Sequence, residues 1–544
     1  MSRDELSRRR RNNRGTSNYK NYVSSTPRGR SKTLSIHSPP VAAQVSPTPK
    51  ADLLFEQGLS LVADQKFEAA IAAYDAALAI KPDFYQVLYR KGMALLELGR
   101  CEAAIVAYNA ALVIKPKYHE ALSGKGAALA NLERHRDAIA AYDAALAIKP
   151  NDYEALNGKG TVLADLGRHE EAIAAYNVAL TIRPNCYEAL YGKGAMLADL
   201  GRHRDAIAAY NSALAIKPDY YEALHNKGAA LADLGRYEEA IAAYNAALII
   251  RPNCTEALYG KGTLLARLGR YRKAIVAYDI ALVIKPNAYG VLYDKGTALA
   301  NLGRYRDAIV AYDAALTIKS DYYVVLNDKG MALTQLGRHE EAIAAYDAAL
   351  AIKPNHYEAL YNKGIILADL GRYKAAISAY EAVLAIKPDY QQALNNKGFA
   401  LQKLSCYEDA IAAYDAALAI RPDLPKTLNS KGIALRQLGR YRTALKAYNA
   451  ALAIKPNYYQ ALNNRGLVQH QLGRYQAALK TYDAALAIKP DYRKALKNKF
   501  RTLVRLGRFK ASIIALVLLL ETRPKNPWFS VLGRILRLLL RWVR

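Results

Sequence analysis

Among 544 residues there are only four cysteines, four methionines, two tryptophans and seven phenylalanines. Cys101, Cys186, Cys254 and Cys406 lie far apart and form no CxxC pair, so neither a zinc site nor a dithiol couple is indicated. With no apolar signal core behind Met1, they are expected as free thiols in a reducing compartment, which points to the cytoplasm. Long apolar runs are also missing: the most apolar stretch, Ile513 to Leu520, is too short to span a bilayer. There is no phosphate-binding loop, no GxGxxG after a strand, no HExxH and no nucleophile elbow. The expectation is a protein that is not an enzyme and needs no cofactor or metal.

Acidic residues are scarce at both ends. The net charge is +29, of which residues 1–50 carry +9 and residues 490–544 carry +12. The long middle is left nearly balanced, at +8. Two basic ends on a neutral rod make anionic membrane or nucleic acid candidate partners for residues 1–50 and 527–544.

What the chain does contain is one segment, copied. Tyr187 to Tyr220 recurs every 34 residues, and prolines from Pro82 to Pro524 keep that step with a single break at Ser320. Within the copy, Leu190, Gly194 and Leu197 lie at helical spacing, as do Ala206, Tyr210 and Ala213. Two amphipathic helices follow, separated by Leu-Gly-Arg at 200–202 and closed by Lys217-Pro218. Lys217 also sets a cation at the negative end of the second helix dipole.

These positions resemble the tetratricopeptide repeat, a 34-residue helix–turn–helix unit. Counting Tyr187 as position 1, the large residue at 4 is Leu190, the glycine at 8 is Gly194 and the alanine at 20 is Ala206. Tyr210 fills position 24, Ala213 position 27 and Pro218 position 32. The resemblance covers fourteen copies over residues 51–526, or 476 of 544 residues. It implies an all-α fold, an α-solenoid wound as a right-handed superhelix, flanked by a basic leader at 1–50 and a tail at 527–544. The remainder outside the repeats is too short for a catalytic domain. One departure is regular: position 7, apolar in the family, is Lys or Arg from Lys91 to Lys499. Those stems are expected along the helix, with their ammonium groups in water.

The leader is rich in Arg, Ser and Pro and short of large apolar residues, so it is expected to be disordered. Its arginines, Arg8 to Arg11 and Arg14, suit either phosphate contacts or plain solvation; Asp4 and Glu5 weigh against an organellar transit peptide. The first repeat is less regular and reads as a cap. Glu133 and Ser405 replace the turn glycine and Val383 takes the small position 27, each a local weak point. In the last repeat Phe500 replaces the glycine and the second helix, 511–520, is apolar on every side. The tail supports two readings. It is a capping helix for the solenoid, or an interfacial helix with Arg534, Arg537, Arg541 and Arg544 on one arc and Trp528 and Trp542 entering the bilayer.

His135, His169 and His203 recur at position 17 but on separate helices, too far apart to share a metal ion. Candidate function therefore sits on the concave surface that the family resemblance assigns to the first helix of each repeat. Its early half is acidic, with Glu154, Glu188 and Asp199; its late half is apolar, amide-rich and basic. The late half supplies a candidate peptide groove of Tyr361, Asn362, Asn395, Asn396, Phe399, Lys426, Asn429, Asn463, Asn464 and Arg505. The asparagines are similar to the row with which O-GlcNAc transferase repeats hold an extended peptide, since an amide both donates and accepts. Gly124, Gly158, Gly192 and Gly260 interrupt that row in the early half. The carboxylate clamp of chaperone-binding relatives is not reproduced. The reading is a scaffold or adaptor that binds an extended, acidic and apolar protein segment. Its alternatives are tethering to membrane or nucleic acid through the basic ends, and an accessory role to a glycosyltransferase. Replacing Asn395, Asn429 and Asn463 together by Ala is expected to weaken binding and leave the unfolding midpoint nearly unchanged.

Overall fold

A computed structural model describes residues 47–522, and the expectations for the leader's first 46 residues and for the tail lie outside them. Among the described residues there are 28 α-helices and no strand. The first helix, Pro47–Ala63, begins ahead of Ala51. From Tyr85 on, every repeat has an opening helix over positions 1–13 and a closing helix over positions 17–30, except that the last closing helix, Phe509–Glu521, ends one residue earlier. In the unit from Tyr187 these are Tyr187–Asp199 and His203–Ile216.

The turn between them follows from its glycine. Gly201 adopts a φ of 75°, and the Arg202 amide donates to the Leu197 carbonyl at 2.8 Å, the six-to-one bond that closes a helix. Gln65, Glu133 and Ser405 take the same conformation, at φ of 62°, 60° and 63°. The turn is thus kept where glycine is absent, at a strain of about 1–2 kcal/mol for each L-residue.

The two helices of a repeat close on a tyrosine. Tyr210 is 1% exposed, and a Cβ on Gly194 would stand 2.7 Å from its ring. Only glycine at position 8 admits so close an approach. Ala206 and Ala213 are fully buried on the same face. The last repeat inverts the sizes: Phe500 takes the glycine's place and Leu516 the tyrosine's, and Phe500 packs against Leu479, Leu503 and Ala515.

The chain divides into two compact units, one ending at Ile284 and the other beginning at Lys285. Within each, a closing helix packs on its own opening helix and on the opening helix of the next repeat. The apolar core is therefore a seam renewed at every repeat, as in other helical arrays.

Several position-7 lysines end on a carboxylate rather than in water as the sequence reading expects; where position 25 is Asn109, Asn177, Asn211, Asn245 or Asn449, no carboxylate stands there. Lys91, Lys159 and Lys329 each meet an aspartate sixteen residues earlier, Asp75, Asp143 and Asp313, at 2.5 Å. Lys397 meets Glu381 at 2.8 Å and Lys499 meets Asp483 at 2.6 Å; Lys363–Asp347 and Lys431–Asp415 are the same pair. The stem does lie along the helix. Its ammonium reaches the closing helix of the preceding repeat because a carboxylate waits there at position 25.

Candidate binding surface on the opening helices

Successive opening helices of the second unit lie against one another, so side chains at one repeat position form rows across them. Positions 5 and 6 carry the asparagines, and the structure joins these amides to each other. Asn498 Nδ2 donates to Asn463 Oδ1 at 3.0 Å, Asn463 Nδ2 to Asn464 Oδ1 at 3.3 Å, and Asn464 Nδ2 to Asn429 Oδ1 at 2.9 Å. A second relay runs from Thr427 Oγ1 to Asn395 Oδ1 at 2.9 Å, from Asn395 Nδ2 to Asn396 Oδ1 at 3.3 Å, and from Asn396 Nδ2 to the Tyr361 hydroxyl at 3.1 Å. A third starts with Asn362 Nδ2, which donates to Asn327 Oδ1 at 3.4 Å; Asn327 Nδ2 donates to Asp328 Oδ1 at 3.1 Å.

Four of these bonds, Asn327–Asn362, Tyr361–Asn396, Asn429–Asn464 and Asn463–Asn498, tie position 5 of one repeat to position 6 of the next, 35 residues on. They also bury the first partner: Asn429 is 7% exposed and Asn463 3%. Asn429 and Asn463 are thus staples between repeats, and the expectation that their loss leaves the unfolding midpoint unchanged no longer follows. Asn362, Asn395, Asn396, Asn464 and Tyr361 are partly buried. Fully at the surface are Phe399, Lys426 and Arg505.

The glycines at position 6 have a packing cause that the sequence alone does not reveal. A Cβ on Gly158 would meet the Tyr142 hydroxyl at 2.5 Å, and one on Gly192 would meet the Tyr176 ring at the same distance. In these repeats the preceding tyrosine fills the space that an amide would need. Where position 6 is polar, it pairs with the previous repeat instead, as Asn226 Nδ2 does by donating to Tyr191 at 3.0 Å.

Position 9 adds an apolar row over this polar floor. Met331 and Phe399 stand 43% and 44% exposed, with Ile365, Ile433 and Leu467 partly buried between and beyond them. The Lys403 ammonium lies 5.2 Å from the centre of the Phe399 ring, an attraction worth about 0.5–1 kcal/mol at an exposed site. Sequence reasoning placed Phe399 here but not Met331, which position 9 also marks.

The row ends on cations. Opening helix Arg493–Arg505 contains no acid. Its Lys499 is paired with Asp483, whereas Lys494, Lys497, Arg501 and Arg505 are exposed and have no ion pair among the described residues. Their field is felt next door. The His470 imidazole is held below its ordinary value, first by burial and then by Arg505 and Arg501, while its Nδ1 lies 2.9 Å from Thr502 Oγ1.

The remaining sequence candidates are quickly placed. His135, His169 and His203 each begin a closing helix, and among the described residues no three His, Cys, Asp or Glu side chains gather to hold a metal. The four cysteines are free. No helix of the described residues is long and apolar enough to cross a membrane.

Helix pairs stacked one on the next define an α-solenoid repeat protein. Sequence patterns of the tetratricopeptide repeat match residues 55–119, 124–185, 183–221, 197–253, 225–289, 293–357, 327–391, 389–457, 429–493 and 469–535, and the chain belongs to that family. No curated protein matches it. Among solved structures, the Cut9–Hcn1 hetero-tetramer of the APC/C is similar at 16% identity over 84% of this chain and 98% of that one, with a TM-score of 0.35. YrrB, titled as a TPR protein with an unusual peptide-binding site, shares 23% identity over 35% of this chain and 97% of its own, at a TM-score of 0.32. MamA shares 25% identity over 30% of this chain and 94% of its own, at a TM-score of 0.29.

Proposed function

We propose that this chain is a non-enzymatic scaffold that holds an extended protein segment along the opening helices between Tyr361 and Arg505. The observation that carries the reading is Phe399. A large aromatic ring stands 44% exposed in the middle of an apolar row, with Lys403 beside it and the exposed cations Lys426 and Arg505 along the same surface. Aromatic side chains set among cations are the usual anchors of an interface, and the flanking charges select an acidic partner. The asparagine relays support the reading indirectly: they stiffen the floor, so that binding orders fewer side chains.

The role of the individual asparagines is narrower than a free amide ladder. Asn362, Asn396 and Asn464, each partly buried, retain donor or acceptor capacity toward a ligand backbone; Asn429 and Asn463 act by holding them in place.

Phe399→Ala in the full chain is the direct test, with a fluorescently labelled synthetic peptide of mixed leucine and glutamate as probe. Affinity should fall about tenfold or more, the loss of about 1.4 kcal/mol that marks an anchor residue, while the unfolding midpoint stays within error. Unaltered affinity would remove this surface as the binding site. Loss of all binding at moderate salt, with or without the phenylalanine, would favour adhesion by charge alone.

A further inference from the structure

The surface is not the same along its length, and its gradient runs one way. Position 13 goes from Asp369 to Lys403 to Arg505, and position 2 from Glu358 to Lys426 to Lys494. Position 9 goes from Met331 through Ile365, Phe399, Ile433 and Leu467 to Arg501. The apolar row therefore stops where the unpaired cations begin. Lys494, Lys497, Arg501 and Arg505 recur at helical spacing, so they share one stripe of a single helix.

This cationic stripe stands out against the rest of the chain. Elsewhere many cations are paired: lysines at position 7 such as Lys397 and Lys499 meet a carboxylate of the preceding repeat, and several arginines at position 16 pair with acids, as Arg372 does with Glu340 at 2.6 Å and Arg338 with Glu341 at 2.5 Å. On the last opening helix the balance is broken, and four cations are left without an internal partner among the described residues. Two of them, Arg505 and Arg501, add to burial in holding the His470 imidazole of the preceding repeat below its ordinary value.

Resting on the peptide-scaffold reading above, we infer that the bound segment is asymmetric, apolar at one end and acidic at the other, and docks in one register. Its apolar end lies on Met331, Ile365 and Phe399, and its acidic end on Lys494, Arg501 and Arg505. Carboxylates there meet guanidinium and ammonium groups that otherwise repel one another, and apolar side chains meet the apolar row at the end away from that stripe. The chain's own basic ends do not suit the site. Residues 1–50 carry +9, and the tail offers Arg534, Arg537, Arg541 and Arg544, so like charge opposes either one.

The test uses the full chain and a synthetic peptide with a leucine-rich half and a glutamate-rich half, carrying a photo-crosslinker at one end or the other. The crosslinker on the glutamate end should label the helix Arg493–Arg505, and that on the leucine end the helices Tyr323–Gln335, Tyr357–Asp369 or Gln391–Lys403. Joint replacement of Lys494, Arg501 and Arg505 by Ala should weaken the peptide about tenfold at low salt and much less at high salt. Bound glutamates should also raise the His470 titration midpoint, read by NMR.

Labels on the opposite helices, or scattered along the row, would overturn the register. So would a triple variant of unchanged affinity whose Phe399→Ala counterpart is weakened; in that case the groove stands and only its polarity falls. If the peptide fails to bind at all, the scaffold reading fails with it. Equal binding of a glutamate-only peptide, of single-stranded RNA or of anionic phosphatidylserine vesicles would make the stripe a general polyanion site. Self-association that disappears in the triple variant would identify another copy's acidic repeats as the occupant; either result overturns the inference.

Discussion

Asn463 shows how much one side chain does that its place in a row does not reveal. It is 3% exposed, donates to Asn464 and accepts from Asn498. Asn463→Ala removes both bonds and leaves buried amides unmet, which costs about 1–3 kcal/mol. Thermal or urea unfolding should report a loss of that size, whereas the exposed Phe399→Ala should change stability by no more than about 0.5 kcal/mol. The sequence displayed these asparagines as rows 34 residues apart, but the bonds run at 35, from position 5 to position 6 of the next repeat. The signal was present in how residues co-occur: Tyr191 is followed by Asn226, Tyr361 by Asn396 and Asn429 by Asn464. Reading it requires knowing that neighbouring helices are offset when they stack. For this reason the site residues were legible as a set while their roles, ligand contact or staple, were not.

At the scale of the helix pair, the contact that matters is between Gly398 and Tyr414. A Cβ on Gly398 would lie 2.7 Å from the ring, so Gly398→Ala should cost about 1–3 kcal/mol by overpacking. Adding Tyr414→Leu should return part of that loss, because the last repeat already combines a large residue at position 8 with a leucine at position 24. A double-mutant cycle on unfolding free energy checks it; strict additivity would mean that the two residues do not share the space. Most helix limits were legible, since a glycine follows most opening helices and a proline most closing ones; at Gln65, Glu133, Ser405 and Ser320 the helices end in the same place without them. The lysines at position 7 were misread because their acidic partners lie sixteen residues away on the previous closing helix. That distance reaches across a repeat boundary, where a sequence pattern gives a spacing but no direction.

Across the whole array the same tyrosine is buried in repeat after repeat, from Tyr74 to Tyr482, so a property of one becomes a property of all. Burial raises Tyr346 from its ordinary value of 10.0 to about 12, and it raises Tyr142 and Tyr108 as well. The sign follows from which state holds the proton. Folded chains keep these phenols neutral, while unfolded ones release the proton near pH 10, so the stability present below pH 10 is lost as pH climbs toward 12. Many equivalent sites make the loss steep, because stability in an array is close to a sum over repeats and their interfaces. Far-UV circular dichroism and tyrosinate absorbance, followed together during an alkaline titration, should change in one coincident step. Breaking of the position-7 ion pairs is the rival cause, and substitution separates the two. Tyr108→Phe deletes a buried hydroxyl that has no hydrogen-bond partner, so it should shift the step to higher pH and leave the midpoint at neutral pH unchanged or raised. A step that moves with Lys431→Met and not with Tyr108→Phe would assign the alkaline limit to the ion pairs instead.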